Sequence, residues 1–136
     1  MIKNLNAYTS LFFLSNIYYL LDANDVIYLS SFIILLITSV TFHSTKLKYI
    51  GYIDKMATYN IVFQGGIRLL ENHSKNTLIS IIVILCFLSV VYLYFYGYMF
   101  DKFCFDKKYN EICHGVLHLQ SSIGHLFIIL LMKMCN

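Results

Sequence analysis

Residues 77–99 read TLISIIVILCFLSVVYLYFYGYM, and from Ile79 onward this run is apolar and carries no charge. A helix needs about 20 consecutive apolar residues to cross the hydrocarbon of a bilayer, so the run reads as a membrane span. Tyr92, Tyr94, Tyr96 and Tyr98 crowd its end. Their spacing of two would suit a strand, but the run is too long for an ordinary one. Tyrosines gather at membrane interfaces, where ring and hydroxyl meet different solvents.

With one such span in place, the rest of the chain reads the same way. Hydrophobic residues make up 59% and charged residues 12%, with a mean hydropathy of +0.68. Soluble domains carry roughly 25% charged residues, and a soluble core in a chain of 136 residues could not bury this apolar excess. Polar breaks at Asp22–Asp25, Lys46–Lys48, Glu71–Asn76 and the charged stretch 100–113 divide the chain. The segments between them run over about 5–21, 26–43, 49–70, 77–99 and 114–133. The expected architecture is therefore an all-α integral membrane protein of about five transmembrane helices, a single domain over 1–136. A signal peptide would resemble the first segment, but no small-x-small cleavage site follows it. The third segment holds Asp54, Lys55, Asn60, Gln64 and Arg68 and should insert only within a bundle. Lys55 and Arg68 can snorkel to the interfaces, Asn60 and Gln64 can share an inward face, and Gly65-Gly66 would admit a close neighbour.

Five polar side chains stand out at the ends of apolar segments. The stretch SVTFHSTKLKYIGYID contains Ser39, His43 and Asp54 in the pattern Ser-x3-His-x10-Asp, and HGVLH contains His114 and His118. If consecutive spans alternate in direction, all five lie within about two turns of one membrane face. Ionisable residues at such places mark function. His114 and His118, at i and i+4, can reach one ion, and His43 can supply a third nitrogen. Three protein ligands leave a fourth tetrahedral position for water, the catalytic rather than the structural zinc pattern. Asp54 could accept a proton from that water, and Ser39 could hydrogen-bond a developing oxyanion. Each residue also has a plainer reading. An isolated H-x3-H pair is commonly accidental, a serine near a helix end commonly bonds a carbonyl, and Asp54 could cap a helix start. His125, seven beyond His118, reads as a buried hydrogen-bonded histidine or as a partner to the site, and His73 as a solvated loop residue.

These motifs resemble the alkaline ceramidases and the wider membrane-hydrolase superfamily that includes the adiponectin and progestin receptors. The likeness is closest in FHSTKLKYIGYID, where the ceramidases read Phe-His-x-Thr-Leu and then Asp eleven positions after the His, and it continues in HGVLHLQSSIGHLF. The resemblance implies zinc held by His43, His114 and His118, proton transfer by Asp54 and oxyanion assistance by Ser39. It also implies hydrolysis of the amide bond of a membrane lipid such as ceramide. The family has seven helices, so a bundle of five would lack one hairpin. Several positions depart from the family. There is no Trp and no acidic residue before Asp22, so the family's calcium site is not expected. Lys55 follows Asp54 where the family often has Glu, and Gly115, Val116 and Leu117 replace bulkier aromatics. The alternative is a non-catalytic membrane scaffold or lipid sensor that keeps a structural zinc.

The net charge of +3 is spread over loops, without the clustered basic face of a nucleic-acid binder. With alternating spans the five-residue face carries Lys3, Lys46, Lys48, Lys55, Lys102, Lys107 and Lys108, against Arg68, Lys75 and Lys133 on the other. The positive-inside rule then puts that face in the cytosol, whereas the ceramidase resemblance implies the lumen. For a eukaryotic or viral chain, an internal membrane such as the ER or Golgi is the expected location. The four cysteines show no C-x-x-C spacing; Cys104 and Cys113 share one loop and either pair in an oxidising lumen or remain free thiols.

Overall fold

The computed structural model describes residues 5–100 and 109–134, with Tyr98 and Met99 described by their backbone alone. The described residues are mostly helical and contain no strand: α1 (Leu5–Ser10), α2 (Phe13–Leu20), α3 (Val26–Thr45), α4 (Lys48–Asn72), α5 (Thr77–Met99) and α6 (Asn110–Lys133). A single 3-10 turn, His73–Lys75, joins α4 to α5. The protein is all-α, and α3, α5 and α6 are long and apolar enough to cross a membrane. Only 11% of the apolar window of α5 is buried, so most of that helix presents apolar side chains outward. Ile33, Ile34 and Ile37 do the same on α3. Contiguous apolar surface of this kind suits lipid rather than water.

Local chemistry explains where the helices start and stop. Asp25 caps α3, its Oδ1 accepting the Tyr28 amide at 2.9 Å, and Asn76 caps α5 by accepting the Ile79 amide at 3.1 Å. Both satisfy an amide that the first turn of a helix leaves without a partner. Lys46 ends α3 in the left-handed region (φ 55°), returning its amide to Phe42 O at 2.7 Å.

Three features differ from the sequence expectation. The first segment is two helices rather than one. Leu11 N bonds Tyr8 O, Phe12 N bonds Thr9 O and Leu14 N bonds Leu11 O, all i to i+3 links that tighten the chain between α1 and α2. Just before this break the Thr9 and Ser10 hydroxyls both donate back to Asn6 O, a pattern that bends helices. The last helix begins at Asn110, before His114, so its first turn takes in the end of the charged stretch; residues 101–108 of that stretch lie outside the described residues. Arg68, expected to snorkel outward, turns inward and is buried, because its partner Asp25 waits at the cap of α3.

The helices pack so that the first segment lies along the last helix. α3 and α4 form an antiparallel pair, α1 and α2 lie against both α3 and α6, α4 also meets α6, and α5 leans on α6. Phe13, Leu20, Tyr28, Phe32, Leu35, Ala57, Ile61, Ile128 and Ile129 are buried in one continuous cluster. Two glycines permit close approach. A Cβ at Gly51 would stand 2.7 Å from the ring of Phe42, and one at Gly65 would stand 2.7 Å from the ring of His125. Gly66 has open space around it.

A candidate metal centre

His43 lies near the C-terminal end of α3, while His114 and His118 occupy the second and third turns of α6. The packing of α3 and α6 around α1 brings the three rings together. Ring centroids are 4.9 Å apart for His43–His114, 5.3 Å for His43–His118 and 4.7 Å for His114–His118. One nitrogen from each ring lies within 4.8 Å of the others. His43 and His118 are buried and His114 is partly buried. Of the residues expected from sequence to form a site, these three converge.

The donor set suits a nitrogen-preferring cation. Zinc–imidazole bonds of about 2.0–2.1 Å in a tetrahedron place ligand nitrogens about 3.4 Å apart. Nε2 of His114 and Nε2 of His118 are 3.1 Å apart, and a nitrogen of His43 lies within 4.8 Å of a nitrogen of each. Magnesium and calcium prefer oxygen ligands, and no carboxylate joins the three imidazoles in this group among the described residues.

Asp54 and Ser39 each bond a hydroxyl side chain. Asp54, in the second turn of α4, is half-buried and accepts the Thr38 hydroxyl at 3.1 Å. Ser39 is buried, and its oxygen lies 2.9 Å from the Ser10 oxygen. The one Ser10 proton goes to Asn6 O at 2.8 Å, so Ser39 is the donor in the serine pair. Sequence reasoning missed Thr9 and Ser10. Thr9 Oγ1 lies 3.0 Å from Nδ1 of His118, and Ser10 meets Ser39. A visible signal existed: two hydroxyl residues follow Asn6 at three and four positions within an apolar segment, both able to face inward.

Polar groups also meet at the far end of the bundle. Arg68 donates from Nε to Asp25 Oδ2 at 2.7 Å, from Nη2 to Asp25 Oδ1 at 3.0 Å, and from Nη1 to Gln64 Oε1 at 2.5 Å. The guanidinium holds the Asp25 carboxyl below the usual carboxylate range and lies over the Tyr28 ring, 5.5 Å from its centre. The Tyr28 hydroxyl pairs with Nδ1 of His125 at 2.5 Å. His125 is thus a buried, hydrogen-bonded histidine packed edge-on against Phe32. His73 is exposed, its Nδ1 2.8 Å from Leu70 O. Cys86 is a free thiol and Cys113 is disulfide-bonded; Cys104 lies outside the described residues.

Comparisons with protein-family models, with curated proteins and with solved structures find no match to this chain.

Proposed function

We propose that this chain is a membrane-embedded, zinc-dependent hydrolase that cleaves the amide bond of a lipid such as ceramide, releasing a sphingoid base and a fatty acid. The observation that carries the reading is the buried convergence of His43, His114 and His118. Ionisable side chains gathered among apolar helices are functional candidates by default. The amide and the sphingolipid come from the resemblance of FHSTKLKYIGYID and HGVLHLQSSIGHLF to the alkaline ceramidases. The metal reading rests on the three histidines.

Zinc held by three nitrogens supplies Lewis acidity and an acidified water. The protein's part is to place that chemistry in a dry site and to move protons. Overall, water adds across the C–N bond: its oxygen goes to the acyl carbon and its protons end on the amine and the acid. Asp54, half-buried and tethered by Thr38, would take the water proton on a carboxylate oxygen and deliver it to the leaving nitrogen. Ser39 would release its proton from Ser10 and donate it toward the developing oxyanion. Losing one such donor typically costs about 10² to 10³ in turnover. Ser39→Ala should slow the enzyme by roughly that factor while metal stays bound.

A second reading has its own support. Asp54 bonds Thr38 and stands outside the histidine group, as it would in a scaffold or lipid sensor whose metal is structural. Purified protein offered a panel of lipid amides and esters separates the two. The hydrolase should carry about one zinc per chain, release fatty acid from ceramides, lose metal in His118→Ala, and lose turnover but not metal in Asp54→Asn. Ester cleavage without amide cleavage would reject the substrate class. Bound zinc with no turnover on any lipid would favour the sensor, and equal metal content in wild type and in the triple alanine variant of His43, His114 and His118 would end both.

A further inference from the structure

The first helix reaches the histidine group through one side chain. Thr9 Oγ1 lies 3.1 Å from Asn6 O, to which it donates, and 3.0 Å from Nδ1 of His118. A threonine hydroxyl has a single proton. With that proton committed to the carbonyl, the oxygen can only accept from His118. That arrangement calls for the hydrogen on Nδ1 of His118 and the lone pair on its Nε2. That lone pair faces Nε2 of His114 at 3.1 Å, within the group where the three rings converge.

The contact is built rather than incidental. His118 is buried, and its ring is backed by Phe13 at 5.7 Å between centroids, which restricts its swing. Thr9 comes this close to α6 because residue 115, one turn before His118, is glycine. A Cβ at Gly115 would stand 2.9 Å from Thr9 Cγ2 and 3.4 Å from Thr9 Oγ1. A side chain at 115 would force α1 away from α6 and open the hydrogen bond. The glycine, the threonine and the Asn6 carbonyl thus act on one imidazole from three places in the chain.

We infer that Thr9 is a positioning residue: it fixes His118 as the Nδ1–H tautomer and so aims the Nε2 lone pair at the metal position shared with His43 and His114. The inference rests on the metal reading above. Ligand histidines that lose the partner of their second nitrogen typically lose about 10- to 100-fold in metal affinity.

Two measurements on full-length protein in detergent micelles test it. The first is imidazole ¹⁵N spectroscopy of metal-free, histidine-labelled protein, with the His118 signals assigned by their loss in His118→Gln. Wild type and Thr9→Ser should show a protonated Nδ1 and an unprotonated Nε2; Thr9→Val, similar in shape but without the hydroxyl, should show a mixture. The second is zinc affinity by chelator competition, where Thr9→Val should bind about 10- to 100-fold more weakly and Thr9→Ser should restore binding. A wild-type His118 protonated on Nε2, or a Thr9→Val protein with unchanged tautomer and affinity, overturns the inference. Wild-type protein that shows the expected tautomer yet takes up no zinc overturns the metal reading instead, and those two failures are distinguishable. Weak zinc binding in Thr9→Ser as well as Thr9→Val would assign the loss to packing and overturn the hydroxyl's role.

Discussion

Gly65 and Gly66 are neighbours on α4, and alanine at each should move stability in opposite directions. At Gly65 the new Cβ would fall 2.7 Å from His125 Cε1, 2.9 Å from His125 Nδ1 and 3.2 Å from the Tyr28 hydroxyl. The imidazole has little room to yield, since it is buried between the Tyr28 hydroxyl and the Phe32 ring, 5.2 Å away between centroids. Overpacking a core typically costs about 1–3 kcal/mol. Pushing His125 off Tyr28 leaves buried polar atoms unpaired, for about 1–3 kcal/mol more. Alanine returns about 0.5–1 kcal/mol because it restricts the unfolded chain. The net expectation is a loss of about 1 to 5 kcal/mol. At Gly66 nothing lies within 4 Å of the added carbon, so only the gain of about 0.5–1 kcal/mol remains. Reversible unfolding of both variants in mixed micelles, titrated with a denaturing detergent and followed by circular dichroism, measures the difference. A Gly65→Ala protein as stable as Gly66→Ala would show that α4 and α6 do not approach as closely as described, and the reasoning would fail.

The Asp25–Arg68 pair makes a prediction about acid. The Asp25 carboxyl is depressed chiefly by its hydrogen bonds with Arg68, so its contribution is fully present above the ordinary carboxylate pKa and is lost as pH falls through the lower folded value. Unfolding midpoints measured downward from about pH 4 should drop in wild type and should fall less in Asp25→Asn; parallel curves would remove the pair as the cause. Sidedness can be tested with a cysteine placed at position 110 and an impermeant thiol reagent. The lysine distribution predicts labelling from the cytosol. Labelling from the lumen alone would refute that rule here, and would agree with the disulfide at Cys113 three residues away, since disulfides persist in oxidising compartments.

Hydrophobic runs made most of the fold readable. α5 and the body of α3 are so uniformly apolar that length alone announces a span, and the cap residues Asp25 and Asn76 sit where polar breaks were visible. The break in the first segment was not readable, because it arises from back-bonding of Thr9 and Ser10 onto Asn6 O, a choice between two local hydrogen-bond patterns that composition does not reveal. The three histidines were legible by helix spacing and alternation of direction, which fix the end of the bundle each one reaches. The partners of Ser39 and Asp54 were not. Which hydroxyl meets which depends on helix rotation, and that is set by packing such as Gly115 against Thr9. Gly65-Gly66 shows the same limit: successive residues on a helix point about 100° apart, so only one of the pair could face His125, and sequence did not say which.

Time enters through the pairing of the first segment with α6. Thr9 and His118 are separated by 109 positions, and Asn16, which donates to Ser122 at 2.7 Å, by 106. A ribosome adds about 5–20 residues per second, so Thr9 exists for roughly 5 to 20 s before its partner is made. Throughout that interval the polar side chains of residues 5–20 have no α6 to meet, and unsatisfied polar groups in hydrocarbon cost several kcal/mol each. The segment 5–20, made before α6, is therefore expected to wait at the interface and to settle into the bilayer only when α6 arrives. Stalled nascent chains that end before position 118 should leave a cysteine at position 9 open to water-soluble reagents, and chains extended past position 133 should close it.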